Sequence, residues 1–335
     1  MFRIILCCIL MFFVAMPSWA CTRILHAALG QDVLVGRNMD WFEDMQTKLI
    51  VYPRGMIRNG HSTEGLSVVW MAKYGSIIAD AYGSTATDGM NEKGLAAHVL
   101  WLEESDYGKR DYRLGLSVVM WVQYYLDNFA TVDEAVRFAQ MNTLQVTPVF
   151  HPKVNRWLNV HLAIEDANGD SAIIEYVDGQ AKIYHDAKYT ALTNSPTFNL
   201  QLDNLKQYSG FGGDKPLPGT NEASDRFVRA SYHQMHLPPA YSMKEEVAGV
   251  LSVLHNASPP FEPYKRDNTK VHRTIWRTIA NLSKHIYYFS STENFNTMFV
   301  QLDQFNLNAG WPAMQLDLNK KRDLVGDVTK EFERI

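Results

Sequence analysis

The order of its segments constrains this chain most. From Cys21 onward, short runs rich in β-branched and aromatic residues alternate with turns, two helical stretches interrupt them, strands resume, two more helices follow, and strands return. A βαβ wind would alternate single strands with single helices. Grouped strands and paired helices instead predict an α+β fold, a four-layer αββα sandwich of two mainly antiparallel sheets. No internal repeat and no linker-like stretch divides residues 21–335, which read as a single domain. With 46% hydrophobic and 20% charged residues, the 335-residue chain has the apolar material for such a core.

In detail, strands over 22–29 and 33–39 form a hairpin around Gly30-Gln31-Asp32, and further strands are predicted at 49–52, 66–71, 75–79 and 94–102. Asn91-Glu92-Lys93-Gly94 reads as a tight turn with Gly94 left-handed. Residues 114–129 are apolar at helical spacing through Leu116, Val119, Met120 and Tyr124, and Thr131 with Glu134 makes a capping box for a helix over 132–140. Strands follow at 158–165, 171–177, 180–185 and 189–193, with hairpin turns at Asn168-Gly169 and Asp178-Gly179. A glycine- and proline-rich loop covers 207–221, a helix 225–236, and Ser242 with Glu245 caps another helix through His255. A loop at 257–268 leads into strands at 271–282, 285–290 and 295–302.

The first twenty residues are different material. One positive charge precedes a continuously apolar run over 4–16, and Pro17-Ser18-Trp19-Ala20 puts small residues three and one positions before Cys21. This is the pattern of a secretory signal peptide over residues 1–20, too short to span a bilayer, so the expected product is exported to the periplasm without stable membrane insertion. Cys7 and Cys8 would leave with the leader. The remainder keeps one cysteine, Cys21, as its first residue, which allows no intrachain disulfide.

A cysteine in that place carries chemistry. Its α-amine and thiol have ordinary pKa values near 8 and 8.5, matched for proton transfer at neutral pH, so one residue supplies both nucleophile and base. The alternative is a lipoprotein acylated at the same cysteine, but Ser18 stands where a lipobox usually has leucine and Trp19 is bulky.

Five motifs then stand in order: Cys21-Thr22-Arg23, Gly36-Arg37-Asn38-Met39-Asp40-Trp41, Asp88-Gly89-Met90-Asn91-Glu92-Lys93-Gly94-Leu95, Thr193-Asn194-Ser195-Pro196-Thr197-Phe198, and Leu217-Pro218-Gly219 with Arg226-Phe227-Val228-Arg229. Together they resemble the choloylglycine hydrolase family, which comprises bile salt hydrolases and penicillin V acylases among the N-terminal nucleophile hydrolases. The resemblance implies the αββα fold, a cysteine nucleophile, hydrolysis of a non-peptide linear amide, no cofactor, and a homo-oligomer, a homotetramer in the family's pattern. It places Arg37 beside the thiol, where its charge favours the thiolate. It gives Asp40 the α-amino group to hold, Asn194 the oxyanion and Arg226 a distal place near the thiol. Strand alternation sets Arg37 and Asp40 on opposite faces, so both reach Cys21 only if the strand bends or ends near Met39. Asn194 before Ser195-Pro196 also has the reading of a turn asparagine.

Two departures bear on function. Asp225 stands where the family usually has serine, and is free to pair with Arg226 or Arg229. Trp101 stands where many bile salt hydrolases have asparagine, which leaves a backbone N–H as second oxyanion donor and suggests an aromatic wall with Trp41. This resembles the Gram-negative penicillin V acylase branch, for which penicillin V and N-acyl homoserine lactones are the implied substrates, with conjugated bile salts as the alternative. The charge balance of −4 offers no footprint for nucleic acid. His161 and Glu165 sit four apart in a predicted strand and form no metal triad. Gly210-Phe211-Gly212-Gly213 lacks the ending of a phosphate-binding loop.

Overall fold

A computed structural model describes residues 21–152, 155–261, 273–321 and 323–335. The expected leader over 1–20 lies outside the described residues, as does most of the loop expected at 257–268. Two large sheets form the body, their strands numbered here β1–β16 in chain order. The first contains β1 (Thr22–Ala27), β2 (Val33–Trp41), β10 (Ala191–Leu192), β11 (Arg273–Asn281), β12 (Ile286–Ser291), β13 (Met298–Gln301) and β15 (Gly326–Asp327), ordered β10-β1-β2-β11-β12-β13-β15. The second contains β3 (Lys48–Tyr52), β4 (Ser76–Ala81), β5 (Thr85–Asn91), β6 (Ala96–Trp101), β7 (Val160–Glu165), β8 (Ser171–Val177), β9 (Gln180–His185), β14 (Met314–Asp317) and β16 (Glu333–Arg334), ordered β9-β8-β7-β6-β5-β4-β3-β14-β16. Pairing is antiparallel except between β13 and β15.

Helices α1 (Trp121–Asn128) and α2 (Val132–Met141) cover the second sheet, while α4 (Ala223–Met235) and α5 (Met243–Asn256) cover β1 and β2 of the first, which completes the αββα layering. A short α3 (Phe198–Leu205) packs beside α4. All nine residues of β2 are buried, because one face meets the second sheet and the other meets α5. Gly36 makes that contact possible: a Cβ there would lie 2.7 Å from Val250 Cγ1. One apolar core joins both sheets to α4 and α5; the other lies between the second sheet and α1, where Trp121, Val122 and Leu126 are buried against it.

Several local expectations hold. Gly94 has φ +74°, and the Asp178-Gly179 turn has φ +53° and +72°. Thr131 Oγ1 accepts from Glu134 N at 3.2 Å and Ser242 Oγ from Glu245 N at 3.3 Å, while both glutamates reach back one residue beyond the cap, to Ala130 N and Tyr241 N. Elsewhere the architecture differs. The helix expected over 114–129 is only α1; Leu114–Ser117 instead pairs in parallel with Leu144–Thr147, and Ser117 caps a single 3₁₀ turn, Val118–Met120. Gly115 decides this, since its N–H donates to Leu66 O and its carbonyl accepts from Val68 N, bonds that a helix would forfeit. The strand expected at 66–71 contracts to Val69–Met71, paired with Ile57–Asn59 in a ribbon apart from the sheets.

Candidate active site

The hairpin register sets Thr22 opposite Asn38 and Arg23 opposite Arg37, so Cys21 comes level with Met39 at the end of β1. Its thiol Sγ lies 4.0 Å from Met39 Sδ and 3.8 Å from the Asp40 carbonyl. Burial raises the thiol pKa, and the nearby Arg37 charge opposes that rise.

β2 remains extended through Trp41, so no bend at Met39 brings Arg37 and Asp40 to Cys21; the irregularity is in β11, where Ile275 is the extra residue between the Thr274–Asp40 and Trp276–Met39 pairs. Alternation is kept, and it is useful. Arg37 points into the second sheet, where Nη1 donates to Thr87 O at 2.7 Å and Nη2 to Val99 O at 2.5 Å. Asn38 points the other way and donates to Leu254 O of α5 at 2.8 Å. Asp40 shares that side, its Oδ2 3.9 Å from Arg226 Nη1 of α4. Cys21 therefore lies between a cation on one face of β2 and a carboxyl on the other.

Asn194 comes from the segment between β10 and α3. Its Oδ1 accepts from Cys21 N and, at 3.1 Å, from Arg226 Nη2, and its Nδ2 donates to Trp101 O at 2.9 Å. This is more than a turn asparagine, for its amide spans both sheets and α4. Gln201 of α3 fixes the segment, donating to Asn194 O at 2.5 Å and Pro196 O at 2.7 Å while accepting from Thr193 Oγ1 at 3.0 Å. His161 also braces it: Nε2 lies 2.9 Å from Thr193 O and Nδ1 lies 2.9 Å from Glu175 Oε1. His161 and Glu165 thus take separate partners, Glu165 facing Arg23 and His98.

Arg226 is fully buried and donates from Nη1 to Cys21 O at 2.6 Å and Thr22 Oγ1 at 2.7 Å. Asp225 does not compete for it, because its Oδ2 accepts from Thr220 N at 3.2 Å and Thr220 Oγ1 at 2.5 Å. Arg229 instead holds the loop carbonyls of Pro218 and Thr220.

Asp40 is 1% exposed, and its buried carboxyl faces the Thr274 hydroxyl and the charges of Arg226, Arg277 and Arg37. Burial outweighs the pull of Arg226 and Arg277 and pushes its pKa up to about 7. The folded chain then holds a proton that the unfolded chain releases near pH 4, so this contribution to stability is complete below about pH 4 and is lost as pH rises through about 7. In the full-length chain, where the Cys21 nitrogen is an uncharged peptide amide, Asp40→Asn is expected to flatten that decline in urea midpoints between pH 4 and 7; an unaltered decline would place its cause elsewhere.

On the thiol side lies an apolar cavity bounded by Cys21, Met39, Trp41, Tyr82, Trp101 and Leu158. The Trp41 and Trp101 rings stand 6.2 Å apart and tilted by 52°, so both tryptophans are walls of one cavity. Trp41 Nε1 donates to Tyr82 OH at 2.8 Å, and Tyr82 OH donates to Glu43 Oε1 at 2.5 Å. Tyr82 carries no motif; its one local sign is a left-handed turn, φ +56°, ahead of Gly83. Met39 lies within the Gly36–Trp41 motif, but nothing in the sequence marks its sulfur as the thiol's neighbour.

Residues 21–315 match the family model described as linear amide C–N hydrolases, choloylglycine hydrolase family. The protein is a hydrolase of linear amide carbon–nitrogen bonds. It is 38% identical to the penicillin V acylase of Pectobacterium atrosepticum over 92% of this chain and 88% of that protein. The solved penicillin V acylase of Agrobacterium tumefaciens superposes with a TM-score of 0.85 at 40% identity, covering 94% of this chain and 98% of its own. Likeness to the conjugated bile acid hydrolase of Lactobacillus acidophilus is lower, 26% over 86% of this chain and 98% of that protein. The chain belongs to the choloylglycine hydrolase family.

Proposed function

We propose that a leader over residues 1–20 directs export to the periplasm, that cleavage after Ala20 makes Cys21 the first residue of a single amidohydrolase domain over 21–335, and that this residue is the nucleophile. The observation that carries the reading is a fully buried Asp40 carboxyl close enough for its charge to act on Cys21, whose nitrogen is already bonded to Asn194 Oδ1. An α-ammonium there would pair with Asp40 and draw its pKa down. Support also comes from the family match, which begins at Cys21.

In the reaction the Cys21 thiolate, favoured by Arg37, attacks the amide carbonyl carbon. The oxygen that becomes negative takes a hydrogen bond from the Asn194 Nδ2 hydrogen not committed to Trp101 O, with a backbone N–H as second donor. The α-amine, held by Asp40 and Asn194, passes the thiol proton to the leaving nitrogen, and the C–N bond breaks. Water, deprotonated by the same amine, then splits the thioester. Arg226 acts by positioning, since its contacts are with Cys21 O, Thr22 and Asn194.

The acyl group enters the cavity between Trp41 and Trp101, whose apolar walls suit an aryl or alkyl chain; penicillin V and N-acyl homoserine lactones are the proposed substrates. Intact mass of the exported protein together with turnover of penicillin V, a long-chain acyl homoserine lactone and a glycine-conjugated bile acid tests this. A mass that includes residues before Cys21, or an acylated Cys21, would overturn the mechanism, whereas preference for the bile conjugate would overturn only the substrate assignment. We propose further that the protein is a homo-oligomer, a homotetramer by family resemblance; Ile57, Val69 and Met71, 76%, 61% and 63% exposed on one ribbon, supply an apolar face that suits self-association.

A further inference from the structure

A chain of five fully buried charged side chains runs away from the thiol between the sheets. Arg37 Nη1 is 3.6 Å from Asp88 Oδ2; that oxygen is 2.6 Å from His98 Nδ1; His98 Nε2 is 3.0 Å from Glu165 Oε2; and Glu165 Oε1 is 2.8 Å from Arg23 Nε. Tyr287 OH donates to the other Asp88 oxygen. These groups belong to β2, β5, β6, β7, β1 and β12, and beyond Arg37 none of the five reaches the cavity.

The distances are unequal in an informative way. Asp88 is in hydrogen-bond contact with His98 and Tyr287 but stands off from Arg37, whose N–H groups go to the neutral carbonyls of Thr87 and Val99 instead. A bidentate arginine–carboxylate pair would neutralise the guanidinium. Arg37 is spared that, and its charge remains directed at Cys21, where it is the largest charge acting on the thiol.

We propose that His98 is a positioning residue for the reaction at Cys21: as an imidazolium clamped between Asp88 and Glu165, it occupies the Asp88 carboxylate and so leaves the Arg37 charge to the thiolate. The inference rests on the proposed role of Cys21 for its purpose, but not for its test. Burial works against the imidazolium, yet the two flanking carboxylates outweigh it and raise the His98 pKa to about 9. Asp88 is correspondingly held below the usual carboxylate range, burial being overcome by His98 and Arg37.

In His98→Gln, Asp88 is free to close on Arg37. Alkylation of Cys21 by iodoacetamide at pH 7.5 is then expected to slow about three- to tenfold, with its pH midpoint raised by roughly half to one unit. Asp88→Asn removes the competing carboxylate and is expected to move both quantities the opposite way. Loss of packing alone would disturb the two variants alike, so a shift of the same sign in both would overturn the proposal. Should neither variant fold, the ¹⁵N signals of His98 in the wild-type protein decide it: protonation of both ring nitrogens at pH 7.5 is expected, and a neutral ring would overturn the role. Alkylation needs no substrate, so a wild-type protein that alkylates normally but hydrolyses no test amide would sink the proposed function and leave this inference standing.

Discussion

Cys21→Ser is expected to lower kcat/KM by about 10⁴-fold or more while moving the melting temperature little. The rate should collapse because the proposed base, an amine with a pKa near 8, is matched to a thiol but not to an alcohol, whose proton it cannot take to any useful extent. Stability should hold because, among the described residues, the thiol's hydrogen-bonding contacts are two long ones, to Met39 Sδ at 4.0 Å and to Asp40 O at 3.8 Å. The serine variant should still bind acyl substrate, since the cavity walls are unaltered, and equilibrium binding beside steady-state kinetics would separate the two effects. Retained turnover would remove Cys21 from the reaction.

Asn194→Ala should reduce kcat by roughly 10²- to 10³-fold, about 3 to 4 kcal/mol of barrier, with a smaller change in KM, because the lost donor acts on charge that develops during attack. The substitution also removes an acceptor from Arg226 Nη2 and a donor from the Trp101 carbonyl, so thermal stability is expected to fall as well. Asn194→Asp divides these effects. It keeps an acceptor for the Cys21 nitrogen and for Arg226 but sets a negative charge beside the nascent oxyanion, and so should be at least as poor in kcat while regaining stability. Saturation kinetics and calorimetry on both variants test this; an aspartate variant with near wild-type kcat would exclude Asn194 as an oxyanion donor.

The groups around the thiol were legible through the joint order of five motifs that resembles the family, not through any one of them: Arg37 and Asp40 lie three apart on one strand, Asn194 before Ser195-Pro196, and Arg226 at the first turn of α4. Their faces were also legible, since alternation along β2 holds; the required bend was the wrong deduction, because Cys21 sits at the end of the neighbouring strand and is reached from both faces. What did not appear in the sequence depends on pairing between distant segments. The Arg23–Glu165–His98–Asp88–Arg37 chain draws on five strands of two sheets, and no window of sequence holds more than two of its members. α3 escaped notice because its eight residues carry no acid in the first turn and no base in the last, and β14 and β16 because strands of four and two residues carry too little alternation to stand out.

β1 is an interior strand, hydrogen-bonded to β2 on one side and β10 on the other, with Cys21 at its head. Far along the chain, β16 is an edge strand, and Ile335, which follows it, is 62% exposed. Affinity handles, fluorophores or attachment to a solid support therefore belong at the carboxyl end, where an appendage extends into solvent, and a fusion joined directly to Cys21 would convert the proposed catalytic amine into an amide.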